Sequence, residues 1–383
     1  MTQLAAGRLS ALSFFLLLII GITFSLAGVV TKEVAATFAV DTYVIGYIFS
    51  LFTIGYSLAI LGNGFVLDRI DIKVEMLAAL ALTGAAIVGA TCFTSIAVFA
   101  VSIFLYGLTL GVQLSVAYYL IVNLHDEKAR AAKVSLLNFF FSLGAIVAPT
   151  AAGLILQAGV KWQWIYQGLL FPLLAAAIGV CRLRFQVRPR AAGRESGGER
   201  WGSGIYLASL ALLCYVLSEM IFGYWVVVYM MDRLALEVAV ASATLSVFWV
   251  FMATGRLLSG LFIARISLWR FIVICSILAC AAFALLLNAT EAKWAIGLVA
   301  LMGLGYSGLY AAILSYGTLQ GSRPSSRLTT FFLTVGSVGG IAAFLLSSYM
   351  KQHFDVATAM GLGAFLMGMV TVFTIAARAG NPQ

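Results

Sequence analysis

The stretch GFVLDRIDIK, Gly64–Lys73, places the charged residues Asp68, Arg69, Asp71 and Lys73 between two long apolar runs. The chain around this stretch is 63% hydrophobic and only 10% charged, whereas charged residues make up about a quarter of a soluble domain. This composition excludes an ordinary water-soluble fold. The charged stretch is therefore predicted to be a short loop between two membrane-spanning helices.

Apolar runs of about 20 residues, the length at which a helix crosses about 30 Å of hydrocarbon, recur along all 383 residues. The predicted helices are residues 10–31, 43–66, 74–95, 98–123, 134–158, 164–185, 204–230, 240–264, 270–289, 294–318, 328–350 and 356–378. The first run follows Arg8 and is interpreted as helix 1, with a cleaved signal peptide as the alternative. The sequence thus predicts an all-α polytopic membrane protein with 12 transmembrane helices.

The basic residues orient these helices. If both termini lie in the cytoplasm, the inner loops and helix ends carry most of the 23 Lys and Arg residues, and the outer ones carry Lys32, Lys161, Arg233, Lys293 and Lys351. Cytoplasmic loops are enriched in Lys and Arg, so we expect an inner-membrane protein with both termini in the cytoplasm. Contacts with lipid headgroups then account for the net charge of +9, and no nucleic-acid partner is expected.

The longest polar segment, residues 186–203, lies midway along the chain. Sequence features on either side of it repeat at one offset of 196 positions: Gly64 and Gly260, Arg69 and Arg265, Gly107 and Gly303. We therefore predict an N-terminal six-helix bundle over residues 1–185, a cytoplasmic linker over 186–203 and a C-terminal six-helix bundle over 204–383. Repeated six-helix halves are typical of carriers that bind their solute near the membrane midplane.

The charged stretch resembles the loop 2/3 signature of the major facilitator superfamily, G-x-x-x-D-R-x-G-R-R/K, at Gly64, Asp68, Arg69 and Lys73. It departs from the signature at Asp71 and Ile72, where that family has Gly and Arg. Asp68 is expected at a helix N-terminus or paired with an Arg, and Gly64 is expected to permit close helix contact.

A second motif, GRLLSG at Gly255–Gly260, resembles the helix 8 signature of the same family. Together the two motifs imply the major facilitator fold and a cytoplasmic gate, which opens and closes in each transport cycle. The implied gate residues are Gly64, Asp68, Arg69, Lys73 and Arg256. The alternative for Arg69 and Lys73 is that they only set the topology.

The segment YVLSEMIFGYWVVVY, Tyr215–Tyr229, resembles helix 7 of the TsgA-type permeases, a group distantly related to the fucose and glucose permeases. Ionisable groups at bilayer depth are costly and usually functional, and Glu219 and Arg256 are the ones placed well inside apolar runs. Glu219, near the middle of predicted helix 7, is the leading candidate for proton coupling or for binding a cationic or hydroxyl group. The alternative is a neutral Glu hydrogen-bonded between helices.

The family resemblance implies that helices 1, 4, 7 and 10 line the solute cavity, with helices 2, 5, 8 and 11 beside them. Candidate cavity residues on these helices are Gln113, Asn138, Trp225, Tyr229, Trp249, Tyr306, Tyr310 and Tyr316. Tyr306 and Tyr310 share one helix face, whereas Tyr316 is turned away and is the weakest candidate. Aromatic faces and amides suit an amphipathic or hydroxylated solute, although aromatic packing between helices explains the tyrosine pair equally well.

Two sequence features bear on coupling and direction. Predicted helix 1 has no acidic residue in its core, and Gln113 stands where fucose permeases carry a carboxylate, so fucose-type proton symport is not expected. The segment GAIVAPTAAG, Gly144–Gly153, resembles a family antiporter motif with Ala148 and Ala152 replacing glycines. We expect a proton-coupled secondary transporter that exports a small polar or amphipathic metabolite. Uptake of a sugar-like solute is the alternative.

Other function classes have less support. The chain has no Walker A motif, HExxH motif or nucleophile elbow, its histidines His125 and His353 lie at loops, and its five cysteines lack metal-ligand spacing. No enzymatic activity, cofactor or metal is therefore expected. The partners expected are a small solute, the lipid bilayer and a proton gradient, and the protein is expected to be a monomer. A non-transporting receptor or scaffold remains the alternative of another class.

Overall fold

The computed structural model describes residues 3–67, 69–185, 201–263, 265–321 and 326–379. Asp68 and most of the predicted linker, residues 186–200, lie outside the described residues. The described helices are α1 (Gln3–Phe38), α2 (Thr42–Leu67), α3 (Ile72–Cys92), α4 (Ile96–Leu124), α5 (Glu127–Gln157), α6 (Trp162–Gly168), α7 (Leu170–Arg182), α8 (Ser203–Arg233), α9 (Val238–Ile263), α10 (Leu268–Leu286), α11 (Ala292–Tyr306), α12 (Leu309–Leu319), α13 (Ser326–His353) and α14 (Val356–Ala379).

These helices confirm the predicted all-α membrane fold. They form 12 segments long and apolar enough to cross a membrane, and α6 with α7 and α11 with α12 each make one segment. Helix α1 extends past its predicted limits of 10–31 because a helix keeps its backbone hydrogen bonds where it leaves the hydrocarbon. The segment predicted as one helix over 294–318 is broken. Ser307 is extended and Gly308 adopts a φ of 71°, a conformation that favours glycine.

Helices α1–α7 form one compact unit and α8–α14 form a second. Their internal packing repeats at the offset found in the sequence. A Cβ added to Gly107 of α4 would fall closer than 3.0 Å to the backbone oxygen of Phe52 in α2, and one added to Gly303 of α11 would do the same to Phe248 in α9. The two glycines are 196 residues apart, and so are the two phenylalanines that they contact. The two bundles are thus pseudo-symmetric, and small residues let equivalent helix pairs approach closely.

The repeat is not complete at every contact. Gly144 of α5 lies against the backbone of α1, where an added Cβ would come closer than 3.0 Å to the oxygen of Leu18. Gly340 of α13, 196 positions later, has no described atom within 4 Å of an added Cβ. In the second bundle α8 is instead fixed to α14, because the Ser218 hydroxyl donates to the Gly363 carbonyl at 2.6 Å.

Two charged residues of the stretch Gly64–Lys73 form hydrogen bonds within the first bundle. The Asp71 carboxylate accepts hydrogen bonds from the backbone N–H groups of Lys73 (2.9 Å) and Val74 (3.3 Å), so it caps α3. The Lys73 ammonium donates to the backbone carbonyls of Cys181 (2.7 Å) and Leu183 (3.3 Å), where α7 ends. A cation is favourable at a helix C-terminus. The residue that departs from the family signature, Asp71, therefore performs the capping role expected of Asp68.

His125 joins the end of α4 to α1. Its Nε2 atom lies 2.8 Å from the hydroxyl of Ser10, and that hydroxyl donates to the Ala6 carbonyl at 2.9 Å. Since the single proton of Ser10 is used there, Nε2 is the donor to Ser10. Burial lowers the pKa of His125 below its ordinary value, the charge of Lys133 lowers it further, and Asp126 partly offsets both.

This lowered pKa gives a pH dependence of stability. Folding disfavours the imidazolium form, so the stabilisation is complete above the ordinary pKa of about 6.5 and is lost as the pH falls through the lowered value. We expect the melting temperature to drop between about pH 7.5 and about pH 5.5, and to drop less in His125→Gln. Thermal unfolding in detergent at both pH values measures this. His353→Gln is the matched control and should keep the wild-type slope; equal slopes in all three proteins would contradict the assignment.

Candidate functional site

The gate residues implied by the sequence lie at the loop between α2 and α3 and on α9. Asp68 is outside the described residues, and the Arg69 side chain is exposed. Gly64 is exposed, and an added Cβ there would meet no described atom within 4 Å, so the described residues make no close helix contact at this glycine. Lys73 binds carbonyls of its own bundle. The close glycine contacts occur deeper, at positions such as Gly107.

The second bundle brings four candidate side chains together with Tyr215 in what we call the α8 polar cluster: Tyr215, Glu219, Arg256, Tyr306 and Tyr310. Tyr215 and Glu219 lie one turn apart on α8, and their side chains are within electrostatic range of each other. The Arg256 guanidinium on α9 acts electrostatically on both. The Tyr215 ring lies 5.8 Å from the ring of Tyr306 and 6.2 Å from that of Tyr310. The cluster therefore joins α8, α9, α11 and α12.

Hydrogen bonds fix Tyr306 within this cluster. The Tyr215 hydroxyl donates to the Tyr306 carbonyl at 3.3 Å, and the hydroxyls of Tyr306 and Ser218 lie 2.5 Å apart. Because Ser218 donates its proton to Gly363, the Tyr306 hydroxyl is the donor to Ser218. The backbone and the side chain of Tyr306 are thus each held by α8, directly beside the break between α11 and α12.

The charges of the cluster compensate each other inside apolar helices. Tyr215 and Tyr306 are fully buried, whereas Glu219, Arg256 and Tyr310 keep part of their surface exposed. An isolated charge at bilayer depth is costly, and a nearby opposite charge reduces that cost. Chemically, the group offers a carboxylate that can take up a proton, a guanidinium that can stabilise an anion, and an aromatic face. Arg256, expected at the gate, lies in space beside Glu219.

The other candidates of the second bundle lie apart from this cluster. The Tyr229 hydroxyl donates to the Leu286 carbonyl at 3.2 Å, and Tyr316 lies on α12, four residues before Gln320. Trp225 is fully buried, and its indole N–H has no hydrogen-bond partner among the described residues. Trp249 is 7% exposed beside the ring of Phe248. Trp225, Tyr229 and Trp249 are thus buried within the second bundle, whereas Tyr316 keeps part of its surface exposed.

The two candidates of the first bundle lie in different surroundings. Gln113 is fully buried, and its amide donates to the Thr83 hydroxyl of α3 at 2.7 Å. Asn138 on α5 is exposed, and its side-chain oxygen accepts from the Tyr118 hydroxyl of α4 at 2.8 Å. Asn138 and Tyr118 therefore offer polar groups at the bundle surface, whereas Gln113 is enclosed between α4 and α3.

Sequence reasoning missed several polar residues of these bundles. Tyr215 and Tyr118 were not singled out, although the four-residue spacing of Tyr215 and Glu219 was a usable signal. Glu75, in the first turn of α3, is only 7% exposed and faces the buried amide of Asn63 without a hydrogen bond of ordinary geometry. Its position beside a charged loop made it look like a surface residue.

Comparison with known proteins places the chain among membrane carriers along most of its length. A sequence model described as Major Facilitator Superfamily matches residues 13–344. A curated relative from Enterobacter sp. (strain 638), called Protein TsgA homolog, is 26% identical over 390 residues that cover 100% of this chain and 98% of the relative. A Protein TsgA homolog from Erwinia tasmaniensis is 26% identical over 380 residues, covering 95% of both chains.

Solved structures show the same fold at lower identity. The crystal structure of the nucleoside transporter NupG superposes with a TM-score of 0.74 at 15% identity, covering 98% of each chain. The transporter FucP in its outward conformation gives a TM-score of 0.64 at 17% identity, covering 97% of this chain and 98% of FucP. At these identities the structural similarity shows the fold alone and does not identify a solute.

Proposed function

Because the chain belongs to the major facilitator superfamily, we propose that it is a proton-coupled secondary transporter that exports a small polar or amphipathic metabolite by alternating access. In this proposal the protein is a monomer of the cytoplasmic membrane with both termini in the cytoplasm. The observation that carries the proposal is the α8 polar cluster, in which Glu219 lies with Arg256 and Tyr215 inside otherwise apolar helices.

Glu219 is the proposed proton-binding group. A carboxylate between apolar helices is retained at a cost in stability, and this one has a cationic neighbour and a hydroxyl partner. Proton uptake would weaken the attraction between Glu219 and Arg256, and proton release would restore it. That change gives the protein two electrostatic states, which is the minimum that coupling to a gradient requires.

The solute class is proposed from the exposed members of the site. Glu219 and Arg256 offer hydrogen-bond partners for hydroxyl groups, and the partly exposed ring of Tyr310 offers a surface for stacking. This chemistry suits a solute with both a planar and a hydroxylated part, as a nucleoside has, and the fold is shared with a nucleoside transporter. Uptake of a sugar-like solute is the second candidate, since the same groups would bind it.

The proposed direction rests on α5. This helix runs without a break through Pro149, with Ala148 and Ala152 buried at the positions of the antiporter motif. For the cytoplasmic gate we retain Gly64, Asp68, Arg69 and Lys73. Arg256 is proposed to act as the charge partner of Glu219.

A ligand screen followed by flux measurement tests the proposal. Nucleosides, hexoses and amphipathic amines are screened for a rise in the melting temperature of the purified protein, because a ligand that binds only the folded state stabilises it. Solutes that bind are then tested for flux in proteoliposomes with a pH gradient imposed in either direction. We expect outward flux driven by proton entry. Flux that ignores the pH gradient contradicts proton coupling, inward accumulation contradicts export, and binding without flux favours a receptor.

A further inference from the structure

The Tyr215 hydroxyl lies between two acceptors. It donates to the Tyr306 carbonyl of α11 at 3.3 Å, and the Glu219 side chain, one turn along the same face of α8, lies within electrostatic range of it. A tyrosine hydroxyl has one proton to donate, and its oxygen can also accept a hydrogen bond. The Tyr215 side chain is fully buried. Its single proton can therefore serve either Glu219 or Tyr306 at one time.

The protonation state of Glu219 selects between these acceptors. An ionised carboxylate only accepts hydrogen bonds, and a bond to an ionised group is about twice as strong as a neutral one. Ionised Glu219 therefore accepts the hydrogen bond that Tyr215 donates, and the Tyr306 carbonyl loses its donor. Protonated Glu219 donates its own O–H to the Tyr215 oxygen, which leaves Tyr215 free to donate to Tyr306. The only covalent change is the formation of the Glu219 O–H bond, and the proton in that bond is the transported one.

The Tyr306 carbonyl is a sensitive position in the fold. Tyr306 is the last residue of α11, Ser307 is extended and Gly308 has a φ of 71°. Carbonyls in the last turn of a helix have no partner within that helix. Tyr215 supplies the partner for this one, while Ser218 holds the Tyr306 side chain independently. The hydrogen bond from Tyr215 is thus a direct link from α8 to the break between α11 and α12.

We propose that Tyr215 is a positioning residue that transmits the protonation state of Glu219 to the break between α11 and α12. This inference rests on the proposed role of Glu219 in proton coupling. When Glu219 is protonated, α8 holds the break through two hydrogen bonds. Tyr215 binds the backbone carbonyl of Tyr306, and Ser218 binds its side chain. In the ionised state only the side-chain contact remains, and the two halves of the tenth membrane segment are freer to change their angle.

The charged and titratable groups around Glu219 are compatible with this role. Arg256 acts on Glu219 and Tyr215 from α9, Tyr306 faces them from α11, and Cys280 of α10 acts on Tyr306. Tyr310 of α12 contributes its ring. The charged or titratable residues of α13 and α14 within the described residues lie near the helix ends: Arg327, Tyr349, Lys351, His353 and Arg378. Arg256 attracts the ionised form and favours the state in which Tyr306 is released.

Hydrogen–deuterium exchange tests this relay without a solute. Peptides covering residues 303–313 are followed in lipid nanodiscs at two pH values, with exchange corrected for its intrinsic pH dependence. In the wild type we expect protection of the break to be about threefold to tenfold greater at the lower pH, the effect of one hydrogen bond. Tyr215→Phe, which keeps the ring, should exchange faster and equally at both pH values. Glu219→Gln, which stays neutral and can donate, should be protected equally at both.

Tyr229→Phe is the matched control, because its hydroxyl also donates from α8 to a backbone carbonyl, that of Leu286. It should keep the wild-type pH ratio at residues 303–313. A Tyr215→Phe protein that keeps this ratio, or a Glu219→Gln protein that keeps it, overturns the relay. If Glu219→Gln also loses gradient-driven transport while Tyr215→Phe keeps the pH ratio, proton coupling stands and the relay alone fails. Normal gradient-driven transport by Glu219→Gln overturns the coupling itself.

Discussion

We expect that replacing Glu219 by Gln abolishes solute accumulation driven by a pH gradient and leaves solute counterflow intact. This is the largest effect on transport that we predict. Glutamine has nearly the same shape, but it cannot take up a proton. A pH difference of one unit can drive about tenfold accumulation for each coupled proton. The variant should reach a ratio of about one. Counterflow exchanges solute without net proton movement, so it should persist.

The measurement uses proteoliposomes and a solute found in the thermal-shift screen. Glu291→Gln is the control, because Glu291 is exposed, pairs at 3.0 Å with exposed Lys293 and lies outside the apolar core of the helices. Surface pairs of this kind contribute little, so this variant should accumulate solute like the wild type. Unchanged accumulation by Glu219→Gln would remove Glu219 from the coupling role. Loss of counterflow as well would instead assign it to solute binding.

Replacing Gly107 by Ala is expected to give the largest loss of stability. The added Cβ would fall on the backbone oxygen of Phe52, which belongs to a helix and cannot turn aside. Helices α2 and α4 would have to separate, and overpacking of this kind costs about 1–3 kcal/mol. At about 2–4 °C per kcal/mol for a bundle of this size, that corresponds to a melting temperature lower by about 2–12 °C. Thermal unfolding of the purified variant measures the shift.

Gly62→Ala is the matched control for Gly107→Ala. It lies on the partner helix α2, where an added Cβ meets no described atom within 4 Å. Alanine is a better helix former than glycine by about 1 kcal/mol, so its melting temperature should be unchanged or slightly raised. Gly303→Ala should repeat the loss in the second bundle. Equal melting temperatures for Gly107→Ala and Gly62→Ala would contradict the close approach of α2 and α4.

The framework of the fold could be predicted from the sequence because it depends on quantities that run along the chain. The length of an apolar run sets the number of spans, since the hydrocarbon thickness is fixed. The offset of 196 positions that pairs Gly107 with Gly303 returned as equivalent backbone contacts at Phe52 and Phe248. Close glycine contacts must recur where helix pairs recur, so the repeat in sequence predicts the repeat in packing.

The candidate site could be predicted only in part. Glu219 stood out because a charge inside an apolar run needs a reason. Its proximity to Arg256 on another helix was not visible, and Gln113, a candidate cavity residue, is buried with its amide donating to Thr83. The helices are apolar on all sides, so the hydropathy pattern gives no rotation about the helix axis. Which face turns toward which neighbour follows from contacts between helices.

The amino-acid sequence specified twelve spans, their repeat in two bundles and one carboxylate within an apolar segment, since each of these depends on local composition or on spacing along the chain. Packing in three dimensions specified the break at Gly308, the tight contact at Gly144 that has no counterpart at Gly340 among the described residues, and the hydrogen bond from Tyr215 to the Tyr306 carbonyl. These features depend on distances between helices that are far apart in sequence, where neither composition nor spacing carries the information.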